Sequence, residues 1–119
     1  MGFMARLKSL FGGGMSPASY QLVAADGMTL PSTLSYVEFT NTSDVTLTTL
    51  VSKPYERPRL LCIVNTGAGD ITITHSANST TAGQFICNGN NMLLTGNDTA
   101  IFVQRSDGVW VRFSGSLNN

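Results

Sequence analysis

The sequence predicts an all-β fold: a small antiparallel β-sandwich or jelly-roll domain with a short amphipathic amino-terminal arm. Three observations carry that expectation. Short apolar segments recur from residue 15 to the end at roughly 8–12-residue intervals, several with strict alternation. The dipeptides Asp26-Gly27, Asn88-Gly89 and Asp107-Gly108 punctuate them with turn chemistry. Thr, Ser and Asn fill 35 of 119 positions while charged residues are only 12%, a composition suited to turns and to the solvent faces of strands.

The elements follow in order. Residues 1–14 form the arm, and residues 15–119 a single β-domain. In the arm, Phe3, Met4, Leu7, Leu10 and Phe11 alternate with Arg6, Lys8 and Ser9. Spacings of three and four place Phe3, Leu7, Leu10 and Phe11 on one helical face. Gly12, Gly13 and Gly14 then end the helix and make a flexible joint. About ten residues of helix are marginal alone in water, so this segment is stable only when its apolar face docks. Docking on a partner protein is the leading reading, and packing on its own domain the second.

Met15 to Tyr20 contains Pro17 and reads as a linker or extended arm. Gln21–Ala25, Ser35–Thr40 and Val45–Val51 read as strands. Pro54 and Pro58 bracket a loop, Lys53 to Arg59, that holds four of the fourteen charges. Leu60–Val64 is a continuous apolar run, the pattern of a strand buried on both faces. Gly67 and Gly69 turn the chain into Ile71-Thr72-Ile73-Thr74, with the isoleucines inward. Phe85–Cys87 and Met92–Leu94 are short strands joined by Asn88-Gly89. Thr99–Gln104 sets Ala100, Phe102 and Gln104 against Ile101 and Val103. Asp107-Gly108 makes a hairpin into Val109–Phe113. The total is about eight strands, with no helix after Gly14.

Composition narrows the function. Seven basic and seven acidic residues give zero net charge, so no broad field attracts nucleic acid or anionic lipid. No apolar run approaches the ~20 residues that span a membrane. Cys62 and Cys87 lie in apolar runs and read as buried thiols; there is no CxxC pair, and the single histidine cannot complete a zinc site with them. No metal, cofactor or catalytic residue is expected. His75 beside Ser76 could serve as a general base, but no nucleophile elbow stands near it, and it reads as a loop-facing residue at a strand end. Tyr55, Arg57 and Arg59 form the one local basic-aromatic cluster. With His75 and Trp110 they are the candidate subunit-interface or receptor contacts. Trp110, between Val109 and Val111, either faces out as a contact or faces in as core. A surface glycan is a possible ligand of a Trp/Tyr platform.

From Leu60 to Phe113 a resemblance appears. The run Leu-Leu-Cys-Ile-Val-Asn-Thr-Gly-Ala-Gly-Asp-Ile-Thr-Ile-Thr-His-Ser, followed by Gly83-Gln84-Phe85, Asn88-Gly89-Asn90, Leu93-Leu94, Ile101-Phe102-Val103 and Asp-Gly-Val-Trp-Val-Arg, resembles β-domains of tailed-bacteriophage virion proteins. These include capsid decoration proteins, head fibres and tail fibres. The resemblance implies a homotrimer, no catalytic residues, and a location in the virion after assembly in the host bacterial cytoplasm. Length then favours a capsid decoration or cement protein, because 119 residues leave no room for a long shaft. The expected partners are the major capsid protein, or another virion protein, and further copies of the chain. The alternatives are a short head or tail fibre or adaptor, and a receptor- or carbohydrate-binding virion module.

Overall fold

The computed structural model describes residues 17–55 and 58–113. A single helical turn, α1 (Pro17–Tyr20), precedes nine described strands: β1 (Gln21–Leu22), β2 (Tyr36–Phe39), β3 (Val45–Leu47), β4 (Arg59–Asn65), β5 (Ile71–Ile73), β6 (Phe85–Ile86), β7 (Met92–Leu94), β8 (Thr99–Gln104) and β9 (Trp110–Arg112). They make a six-stranded sheet, β1-β2-β4-β8-β9-β6, and a three-stranded sheet, β3-β5-β7. The domain is all-β in two sheets, as a small β-sandwich requires. Pro17 opens α1, where its fixed φ suits the first helical position; the extended arm expected for this stretch is replaced by that turn.

From β2 to β8 every successive strand changes sheet. This corrects the antiparallel expectation. Four of the seven strand pairs are parallel, and three are antiparallel. The Gly67/Gly69, Asn88-Gly89 and Gly96-Asn97 turns do not close hairpins; each carries the chain across to the opposite sheet. Asp107-Gly108 does close one, between β8 and β9. Gly108 there has φ +88°, and the Asp107 carboxylate accepts from the Val109 amide at 3.1 Å.

The parallel pairing has a regular step. Tyr36 pairs with Cys62 and Val45 with Ile71, an offset of 26 residues in both sheets. Residues 36–47 therefore lie on residues 62–73 as one coil on the next, corner included. The Thr66 amide donates to the Phe39 carbonyl, Gly69 to Asn41 and Val45 to Asp70, each at 2.9 Å. The corners approach so closely that a Cβ at Gly67 would sit 2.1 Å from the Asn41 carbonyl oxygen, and one at Gly69 2.2 Å from that of Ser43. Glycine is required here for want of space.

Two predicted strands are shorter than expected, for visible reasons. The Asp26 carboxylate accepts from the amides of Thr48 and Thr49 at 2.8 and 3.1 Å, which ends β3 at Leu47. Asn41 exchanges both its amide atoms with the Ala24 backbone at 2.8 and 2.9 Å, which takes Ala24 out of β1. Between the sheets lies the core of Phe39, Leu61, Ile63, Ile71, Ile73, Phe85, Phe102 and Trp110, all fully buried. Of the run Leu60–Val64 expected to be buried on both faces, Leu61 to Val64 are buried while Leu60 at its start is 40% exposed; Ile71 and Ile73 point inward, as the sequence predicted. Cys62 and Cys87 are buried free thiols. No helix among the described residues is long and apolar enough to cross a membrane.

Candidate functional site

The two alternating faces of the six-stranded sheet can be read from its register. Val37, Leu61, Ile63, Phe102, Gln104 and Trp110 share one face. That face is tied to the segment that follows β3: Trp110 Nε1 donates to the Leu50 carbonyl at 2.7 Å and Gln104 Nε2 to that of Ser52 at 2.9 Å. Tyr36, Glu38, Leu60, Cys62, Val64, Ile101, Val103 and Val111 share the opposite, outer face.

Trp110 is therefore core. Its ring is fully buried, so the surface-contact alternative does not hold. Tyr20 and Tyr36 are buried as well, packed edge to face at 5.6 Å. Of the aromatics weighed for a glycan platform, only Tyr55 is partly exposed, and its ring lies against the Gly108 backbone.

Arg59 is joined to Trp110. Its guanidinium stands 5.4 Å from the indole centroid, and it donates to the carbonyls of Ser32 at 3.0 Å and Leu34 at 2.8 Å. Burial lowers its pKa. This arginine clamps the 31–35 loop onto the sheet, a structural use that occupies two of its donors. Arg57 lies outside the described residues, as do Phe3, Met4, Leu7, Leu10 and Phe11.

His75 follows β5 and bridges to Phe85, which pairs on its other side with Trp110. One strand thus separates His75 from Trp110, and the two form no common site. Nδ1 of His75 accepts from the Cys87 amide at 2.8 Å, while its own amide donates to Asn91 Oδ1 at 2.9 Å. The imidazole closes the corner between β5 and β6. No group of three His, Cys, Asp or Glu among the described residues is placed to hold a metal ion.

Two further features stand out, one unread in the sequence and one read only in part. One is a shallow groove of about 330 Å³ where β7 meets Asp98, Thr99 and Arg112. Its acid is engaged locally, since Asp98 Oδ2 accepts from the amide and hydroxyl of Thr95 at 2.9 and 3.0 Å. The other is the outer sheet face. A sheet face turned from its partner sheet is expected to alternate to polar residues. This one carries Leu60, Cys62, Val64, Ile101, Val103 and Val111 beside Tyr36 and Glu38; Tyr36, Glu38, Cys62 and Val64 are buried, and only Leu60 and Phe113 at its margin are exposed apolar side chains. The signal was present in the strand Leu60–Val64, whose continuous apolar run demands cover on both sides.

Compared with protein-family models, with curated proteins and with solved structures, the chain has no significant match.

Proposed function

We propose that the chain is a non-enzymatic structural component of a tailed-phage particle, a capsid decoration or cement protein. It acts as a trimer and is held to the head through residues 1–14. The apolar outer face of the six-stranded sheet carries this reading. A small domain with zero net charge whose sheet margin leaves Leu60 and Phe113 40% and 55% exposed is suited to contact with protein. The resemblance over Leu60 to Phe113 supplies the particle. The roles of Arg59, His75 and Trp110 in holding the fold agree with a domain whose work is contact rather than chemistry. Bridging neighbouring capsid subunits at several points would stiffen the shell through multivalent attachment. A short head fibre or adaptor uses the same arm and is the second assembly reading.

The test is solution mass by light scattering at several concentrations, followed by binding to undecorated heads with and without residues 1–14. The expected result is a mass near three chains, with head binding lost on deletion of the arm. A monomer at all concentrations, or full decoration by the deleted chain, would overturn the proposal.

A further inference from the structure

We infer that the groove beside β7 is a seat for an extended segment of another protein, which adds to the smaller sheet as a further strand and presents an Asp or Glu side chain to Arg112. The inference goes beyond the virion reading and stands on the geometry of β7 alone.

The seat begins with an open edge. The smaller sheet stops at β7, which pairs with β5 on one side only, whereas the larger sheet runs on from β8 through β9 to β6. The groove is the step between them, with β7 as one wall and Thr99 and Arg112 on the other. Among the described residues, no backbone hydrogen bond reaches β7 across that step. The far edge of the same sheet is closed just past β3. There Asp26 accepts from the Thr48 and Thr49 amides, and the Gly27 amide donates to the Thr49 carbonyl at 3.0 Å. Edge strands left open in this way are where a further strand pairs.

The backbone of β7 is set for that pairing. The Leu94 carbonyl is turned to the corner at Asn65, where it accepts from Nδ2 at 2.8 Å. Hydrogen-bonding groups alternate in direction from residue to residue along a strand, so the amide and carbonyl of Leu93 point the other way, toward the groove. An added strand takes both bonds, the main-chain mode of β-augmentation. The Leu93 side chain is 58% exposed and gives that strand an apolar neighbour, while Met92 and Leu94 are turned into the core.

Charge names the occupant. Arg112 lies on the same face of β9 as Trp110 and lines the groove. It is exposed, and it has no hydrogen-bond or ion-pair partner among the described residues. Asp98 is held at the other end, bonded to Thr95 just after Leu94. Arg112 pairs with Phe102, three residues along β8 from Thr99, which is about 10 Å of strand. The groove therefore carries a cation at one end and an acid at the other. A carboxylate entering beside Arg112 makes a charge-assisted hydrogen bond there and stays clear of Asp98.

The experiment uses the full-length protein and a pool of acetylated, amidated heptapeptides of randomised sequence. Peptides captured on the immobilised protein are read by mass spectrometry, and the leading one is titrated into isotope-labelled protein followed by NMR. Captured peptides should be enriched at least tenfold over the pool in Asp or Glu at one position. The leading peptide should slow hydrogen exchange of the Leu93 amide, and its counterpart with a central proline should not bind. On full-length Arg112→Glu the enrichment should pass to Lys or Arg. Capture no better than on the bare support, shifts confined to residues outside β7 and its groove, or an unchanged acid preference on Arg112→Glu overturns the inference. A Leu93 amide that becomes protected on concentrating the protein alone assigns the edge to a second copy and overturns it as well. Should Arg112→Glu lower the denaturant midpoint, Arg112→Gln takes its place and is expected to lose the acid preference; keeping it overturns the inference. No capsid enters these measurements, so a failed seat and a failed virion role are separable.

Discussion

The indole Nε1 of Trp110 donates to the Leu50 carbonyl at 2.7 Å, joining the last strand of the larger sheet to the segment that follows the smaller sheet's first strand. Both residues are fully buried, so this bond is made out of reach of water. It ties together parts of the chain 60 residues apart.

Trp110→Phe keeps most of the ring and removes the donor. The unsatisfied Leu50 carbonyl should cost about 1–3 kcal/mol, and Trp110→Ala about 3–5 kcal/mol through the cavity it leaves. Urea unfolding checks both. A stability change under a few tenths of a kcal/mol for Trp110→Phe would show that the bond is dispensable.

Asn65 is fully buried and uses its whole amide. Nδ2 donates to the carbonyls of Gly69 and Leu94 at 2.8 Å, and Oδ1 accepts from the Gly67 amide at 3.0 Å. It holds the corner between β4 and β5 and pins it to β7. Asn65→Ala orphans three backbone groups at once and should cost about 3 kcal/mol or more. Asn65→Asp keeps the acceptor, loses two donations and buries a charge, so it should be no better. Denaturant midpoints of the two variants decide.

The stacked corners give a steric prediction. Gly69→Ala places a methyl group 2.2 Å from the Ser43 carbonyl oxygen, against backbone that cannot move aside without unstacking the coil. A loss of about 3 kcal/mol or failure to fold is expected. Gly96→Ala is the matched control. Nothing lies within 4 Å of its added methyl, and the change should stay within about 0.5 kcal/mol. Equal effects at the two positions would contradict the stacking.

Stability should fall on the alkaline side. Burial pushes the Cys62 and Cys87 thiols up to about 11 from an ordinary value of 9.0. Burial and the neighbouring Glu38 push the Tyr36 hydroxyl well above 10.0; that hydroxyl donates to Glu38 at 2.6 Å. In each case the folded state holds its proton while the unfolded chain releases it. The thiol contributions are therefore whole below pH 9 and lost as pH rises toward 11, and that of Tyr36 is whole below pH 10 and lost above it, at up to about 1.4 kcal/mol per pH unit for each group. Urea midpoints at pH 8 and pH 10.5 test this, and Cys62→Ala/Cys87→Ala should flatten the slope. On the acid side, Asp26 is lowered by its hydrogen bonds from Thr48 and Thr49, so its contribution is present above pH 4 and fades below.

What the sequence determined by itself was local. Alternation placed Ile71 and Ile73 inward and put Ala100, Phe102 and Gln104 on one face, because side-chain period two is a property of any strand. Turn dipeptides marked where the chain reverses. What they could not mark is whether the returning strand pairs with its predecessor or crosses to the other sheet. That choice belongs to the 26-residue stacking of one coil on the next, which depends on contacts between segments far apart in sequence. Gly67 and Gly69 look like hairpin glycines until the corner at Asn41 and Ser43 is laid beneath them. Trp110 had two open orientations, and only its partner across the core, Leu50, decided between them. His75 and Arg59 read as candidate surface contacts because their donor and acceptor partners, the Cys87 amide and the Ser32 and Leu34 carbonyls, are brought to them by the tertiary fold. The outer sheet face belongs to both levels. The apolar run Leu60–Val64 announced two buried sides, but register alone showed which residues of β8 and β9 extend it into a strip.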